Sequence, residues 1–136
     1  MNITLRAGER IYINGAVIRA DRKATLELLN DAAFLLETHV MQPSEATTPL
    51  RQIYFAVQIM LMDPQAARAT SELADGLIDK AASAFDTPEI KTGLKSVADL
   101  VARSRCFEAM KTLRAMYGAE RREMFPLGDR EATEAA

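Results

Sequence analysis

Between Ile53 and Met62 the chain runs ten residues with a single polar member, Gln58. Two pairs bracket the run, Thr48-Pro49 ahead of it and Asp63-Pro64 behind it. A threonine or aspartate cap accepts a hydrogen bond from an orphan amide, and proline at the first helical position loses nothing by lacking its own. A residue before proline also avoids the helical region, so each pair ends one element and begins the next. The segment Pro49 to Met62 is therefore a helix that is apolar on nearly every face. It is too short for a membrane span, which needs roughly 20 residues. Such a helix has to be covered on most sides, so it is the spine between the residues on its N-terminal side and those on its C-terminal side.

The C-terminal side is helical. A third pair, Thr87-Pro88, repeats the cap-and-proline signal. The second helix, from Pro64, places Ala67, Thr70, Leu73 or Ala74, Leu77, Ala81 and Phe85 at helical spacing. The third has Ile90, Leu94, Val97 and Val101, and a fourth starting near Ser104 has Phe107, Met110, Leu113 and Tyr117. The N-terminal side is different. Ile3 and Leu5 alternate with Thr4 and Arg6, then Ala7-Gly8 interrupts. Ile11 and Ile13 alternate with Arg10 and Tyr12, and Asn14-Gly15 comes next, a strong hairpin signal. Ala16 to Ala20 returns, Asp21-Arg22-Lys23 turns the chain, and Ala24 to Leu29 makes a fourth strand. After a turn at Asn30-Asp31, Ala33 to Val40 makes a fifth. Leu26, Leu28 and Leu29 would equally suit a helix. The expected class is α+β: an antiparallel meander of about five short strands over residues 1–47, a four-helix module over 48–125, and a disordered tail over 126–136.

The chain has 136 residues, about half apolar and a quarter charged, which is ordinary for one globular domain. The opening MNITLRAGER carries charge early and no apolar core, so no signal peptide is expected. A single cysteine, Cys106, gives no disulfide framework and fits a reducing compartment. Both points indicate the cytoplasm. The net charge of −2 hides a blockwise pattern. Residues 62–90 sum to −4, residues 91–122 to +5 and residues 123–136 to −3. Solvated helix faces give such blocks, and an anionic partner would exploit the basic one.

Catalytic constellations are missing, and neither a cofactor nor a metal is expected. His39 has no second histidine or cysteine near it in sequence to share a metal. Cys106 follows Arg103 and Arg105, which would lower its pKa, but a small buried thiol at a helix start explains it equally. No glycine-rich phosphate loop precedes a helix. Nucleic-acid chemistry has better material. The strand face opposite Ile3, Leu5, Ile11 and Ile13 would carry Thr4, Arg6, Arg10 and Tyr12. Guanidinium groups meet phosphates or stack, and an exposed ring stacks on a base, so this is a workable platform for single-stranded RNA. Arg19, Arg22 and Lys23 cluster at the next turn, against Glu9 and Glu27. A second basic set lies on the later helices, Lys91, Lys95, Arg103, Arg105, Lys111, Arg114, Arg121 and Arg122, without exposed aromatics. It suits phosphate contact or protein docking.

The stretches ITLRAGERIYINGAVIR and MQPSEATTPLRQIYFAVQIMLMDP closely resemble the FlbT family of flagellar regulators, with likeness extending to about Phe125. The resemblance implies a small post-transcriptional regulator acting on the 5′ untranslated leader of flagellin mRNA, typically repressing translation and promoting decay. It also implies action alongside a second flagellar protein, FlaF. The strand order around LRAGERIYING is similar, more loosely, to that of CsrA-type RNA-binding proteins, which are intertwined homodimers gripping RNA with their first and last strands. That likeness would bring Leu5, Arg6 and residues around His39 to RNA and implies a homodimer. The rival from another class is an adaptor that binds FlaF or flagellin, for which VARSRCFEAMKTLRAMY has the cadence of helix-repeat proteins.

Overall fold

The computed structural model describes residues 2–30, 32 and 34–126; the expected tail beyond Pro126, like Asp31 and Ala33 around the last expected turn, lies outside them. Five short strands come first: β1 (Asn2–Leu5), β2 (Arg10–Ile13), β3 (Ala16–Arg19), β4 (Ala24–Glu27) and β5 (Phe34–Leu36). Four helices complete the order: α1 (Pro49–Met62), α2 (Ala67–Ala84), α3 (Pro88–Ala102) and α4 (Cys106–Met124). The α+β class and the order of elements are as the sequence indicates. Asn14 and Gly15 take φ of 53° and 84°, the two left-handed residues that a type I′ hairpin between β2 and β3 requires.

The strands do not pair in chain order. β1 pairs antiparallel with β4, while β2 lies between β3 and β5. The Arg6–Glu9 turn is responsible. Gly8 sits at φ 83° and the Glu9 amide donates to the Arg6 carbonyl, a tight turn that carries the chain from one sheet into the other. Three strands are also shorter than expected, β3 ending at Arg19 rather than Ala20. β4 ends at Glu27, and β5 gives way after Leu36 to a 3-10 turn, Glu37–His39, so His39 is not on a strand.

Adjacent residues of β5 show the layering. Phe34 joins Ile3, Leu5 and Ile11 in a small core between the two sheets. Leu35 points the other way, into the large core under the helices, where Tyr12 also packs. The β2–β5 pair is thus covered on both sides, and β5 reads as Phe-Leu-Leu rather than as a clean alternation. Phe107 of α4 touches both cores and stacks on Phe34, ring centroids 5.0 Å apart, joining the two halves.

The helix α1 is covered by α2, α4 and β5, as its composition demands. Its one polar interior residue explains itself. Gln58 is buried, accepting from the Met41 amide at 2.7 Å and donating to the Met41 carbonyl at 2.9 Å. The side-chain amide imitates a β-strand partner for the extended connector and fixes the path from sheet to helices.

The cap-and-proline pairs turn out unequal. Thr48 accepts from the Arg51 amide at 3.2 Å, as expected. Asp63 makes no side-chain cap bond, and Pro64 starts a 3-10 turn (Pro64–Ala66) before α2 begins at Ala67. Thr87 does not cap either; Glu123 of α4 takes its place, accepting from the Asp86 and Thr87 amides and from the Thr87 hydroxyl. Those donors hold the Glu123 carboxyl below its ordinary pKa. One turn earlier, Glu120 is buried and accepts from Thr48 Oγ1 at 2.7 Å and the Leu50 amide at 2.8 Å. In α2 the buried stripe is Thr70, Ala74, Ile78 and Ala81, leaving Leu73 exposed. α4 starts at Cys106 rather than Ser104. Ser104 adopts φ 58°, and the Ser104 and Arg105 amides bond the Val101 and Leu100 carbonyls, a Schellman stop to α3. Cys106 is buried, which pushes its thiol pKa up; the flanking arginines do not activate it.

Replacing Gln58 with leucine keeps the volume but leaves the Met41 amide and carbonyl buried and unpaired. Urea unfolding of Gln58→Leu is expected to show a loss of about 1–3 kcal/mol. Unchanged stability would show that Gln58 does not fix the connector.

Candidate nucleic-acid interface

The turn that redirects the strands also gathers charge. β1 and β3 finish at the same end of the β module where β2 and β4 begin. Arg6 lies in the turn after β1, Arg10 opens β2, Arg19 closes β3, and Arg22 and Lys23 occupy the turn into β4. The two turns are bonded to each other: the Gly8 amide donates to the Ala20 carbonyl at 2.7 Å and the Ala20 amide to the Glu9 carbonyl at 3.0 Å. All five cationic side chains are on exposed residues. They lie together at one end of the strands.

Arg10 and Arg19 stand directly opposite each other across the β2–β3 ladder. Like charges in that position repel and destabilise the pair. Local carboxylates relieve little of this. Glu9 accepts from the Arg6 amide at 3.2 Å and Glu37 from the Arg10 amide at 3.0 Å, both through backbone rather than guanidinium. Among the described residues the ion pair in this region is Arg22–Asp21 at 3.9 Å, highly exposed and worth little. An anion laid across this end would lessen the repulsion further.

Tyr12 does not join them as an exposed ring. It lies on the same sheet face as Arg10 and Arg19, but one step inward, opposite Val17 and Leu35 and packed against the helical core. Thr4, opposite Thr25, looks outward from the other sheet. The expected shared face of Thr4, Arg6, Arg10 and Tyr12 is therefore not formed, because β1 pairs with β4 instead of β2. Phosphate contact is what this end can do; the Tyr12 ring is partly buried against the helical core, set back from the arginines.

The helical basic residues are dispersed. Lys91 donates to the Ala82 carbonyl at 2.7 Å, Arg103 pairs with Asp99 at 3.1 Å, Arg105 with Glu108, and Arg122 approaches Glu89 at 4.0 Å. Arg114 differs. It is half-buried, and its charge acts on Tyr54, Tyr117 and His39. Arg51 of α1 lies 4.4 Å over the Tyr117 ring, and the Tyr54 hydroxyl donates to the His39 carbonyl at 2.8 Å. The residue pattern alone does not single out Arg51 or Glu37. An i,i+3 spacing of Arg51-Tyr54 and Arg114-Tyr117 on two helices is the signal it holds, without any indication that the helices meet. Among the described residues no group of three or more His, Cys, Asp or Glu side chains is placed to hold a metal ion, and no helix is long and apolar enough to cross a membrane.

The sequence matches the family described as "Flagellar protein FlbT" over residues 1–124. It is 54% identical over 124 residues to the "Probable flagellum biosynthesis repressor protein FlbT" of Brucella anthropi, covering 88% of this chain and 79% of that protein. It is 51% identical over 118 residues to the protein of the same name from Chelativorans sp., covering 87% and 81%. No solved structure matches.

The Arg10–Arg19 opposition predicts a trade between stability and charge. Arg19→Thr keeps a strand-forming residue and removes the repulsion, and is expected to raise unfolding stability by about 0.2–1 kcal/mol at low salt. The gain should shrink in high salt. A variant less stable than the parent at both salt concentrations would contradict the repulsion.

Proposed function

The chain belongs to the FlbT family of flagellar proteins, and from that membership we propose that it holds the 5′ untranslated leader of flagellin mRNA on the basic end of its β module, as a post-transcriptional regulator. Its relatives are named as repressors of flagellum biosynthesis, not as enzymes, and regulation of flagellar synthesis is the role it shares with them. The observation that carries the RNA-binding reading is the cross-strand pair Arg10–Arg19 flanked by Arg6, Arg22 and Lys23 on two mutually bonded turns.

The mechanism rests on that geometry. Single-stranded RNA offers a flexible row of phosphates, and guanidinium groups bind phosphate through two parallel donors. Each contact releases a counterion, so binding weakens steeply with salt. The sheet, covered on both faces along β2 and β5, fixes the backbone that carries Arg10 and, through the β2–β3 ladder, that of Arg19. Selectivity falls to the shape of an unpaired loop in the leader, since phosphate contacts position the strand without reading its sequence. A protein seated on the leader blocks ribosome entry there and exposes the message to decay. This reading places the protein in the cytoplasm with its message.

The test is a titration of purified full-length protein with the flagellin leader and with an unrelated RNA of equal length, at two salt concentrations. The parent is expected to prefer the leader and to lose affinity with salt. Arg10→Ala combined with Arg19→Ala should bind at least about tenfold more weakly while remaining folded. No preference by the folded parent would overturn the reading and direct attention to a protein partner, flagellin or a FlaF-type protein.

A further inference from the structure

A second cationic site lies on the helical half, where α1 and α4 meet. Arg51 and Tyr54 occupy one face of the first turns of α1; Arg114 and Tyr117 occupy the facing stripe of α4. The two rings are 6.3 Å apart and tilted by 59°, with the Arg51 guanidinium 4.4 Å over Tyr117. Arg114 is within electrostatic reach of both rings and of His39. Both arginines are half-buried.

A half-buried arginine buries its stem and directs its remaining donors at solvent or at an acceptor. Among the described residues neither Arg51 nor Arg114 is in an ion pair. The buried carboxylate of Glu120, one turn beyond Tyr117, already has its two oxygens engaged by Thr48 and Leu50. Stacking on Tyr117 occupies a face of the Arg51 guanidinium and leaves its in-plane N–H donors available. Beneath them the Tyr117 hydroxyl is buried without any hydrogen-bond partner among the described residues. Buried hydroxyls are nearly always satisfied. Two guanidinium groups in no ion pair flank a ring on which the Glu120 carboxylate also acts; their donors, not the Tyr117 hydroxyl beneath the surface, are what acceptor oxygens from outside can reach.

The position of the site says which acceptor. Arg10 and Arg19 project on the sheet face that looks toward the helices, since Tyr12 and Leu35 on that face pack into the helical core. Glu37 ties the Glu37–His39 turn to the Arg10 backbone, and the His39 carbonyl receives Tyr54. The charge of Arg114 acts on His39 of that same turn. The basic end and the arginine pair are thus linked through the three residues of the Glu37–His39 turn. We infer that Arg51 and Arg114 form a phosphate seat that takes a backbone phosphodiester of the same RNA strand held by Arg10 and Arg19. This rests on the RNA-binding reading, and it gives the helical module a part in binding.

The experiment compares Arg51→Gln, Arg114→Gln and the parent, all full length, for affinity to the flagellin leader across a salt series. Each is checked for folding by circular dichroism and urea midpoint. Each variant is expected to bind about tenfold more weakly. The slope of log affinity against log salt should fall by about 0.7 for one lost phosphate contact. Arg51→Gln also removes the contact with the Tyr117 ring, so Arg114→Gln carries the test if the former unfolds early. Parental affinity and slope in folded Arg114→Gln, alongside weakened binding by Arg10→Ala with Arg19→Ala, overturn the seat and leave the β-end reading standing. No selective binding by the parent removes both.

Discussion

Two carboxylates one turn apart on α4 organise the helical half. Glu120 receives the start of α1, through Thr48 and Leu50, and Glu123 receives the start of α3, through Asp86 and Thr87. A buried carboxylate is costly unless its oxygens are filled, and here a hydroxyl, an amide and the positive end of a helix fill those of Glu120. Fixing α1 has consequences further out. Gln58 of α1 holds the Met41 backbone, the connector places β5, and β5 is paired to β2. A chain of hydrogen bonds therefore runs from α4 to the strand that begins with Arg10.

That chain makes the charge arrangement at the β end tolerable. Arg10 and Arg19 face each other because the Asn14-Gly15 hairpin sets the register, and a slip of β2 by one residue would turn Ile11 out of the core face. The hydrophobic register wins over the electrostatic one. Its cost is a fraction of a kcal/mol up to about 1 kcal/mol, small beside the burial of Ile11 and Phe34. The unrelieved repulsion is what an anionic partner can use.

Much of this was legible in the residues. The apolar run with its two flanking prolines identified α1 as the covered spine. Asn-Gly identified the hairpin, and the spacing of Ile90, Leu94, Val97 and Val101 marked the buried face of α3. The strand partners were not legible, because four-residue strands of similar composition pair in several ways and a single tight turn at Gly8 decides between them. Nor were the carboxylate caps. Thr87 with Pro88 looks self-sufficient in sequence, and only the packing of α4 against α3 brings Glu123 to it. For the candidate site, Arg6 and Arg10 were proposed from strand alternation, and Arg19, Arg22 and Lys23 from their clustering at a turn. Tyr12 was placed on an open face because period-two alternation shows that a side chain leaves one side of a strand, and says nothing of what covers the other.

The most direct test is a footprint: backbone hydrogen exchange of the full-length protein with and without the flagellin leader RNA. Binding at the β end should slow exchange in residues 6–10 and 19–23 and in the Glu37–His39 turn, where amides are near the surface and open locally. The interior of α3 should be unaffected. Leader binding with exchange unchanged in those segments, or slowed only in α2 and α3, would contradict the account and move the RNA, or the partner, to another face.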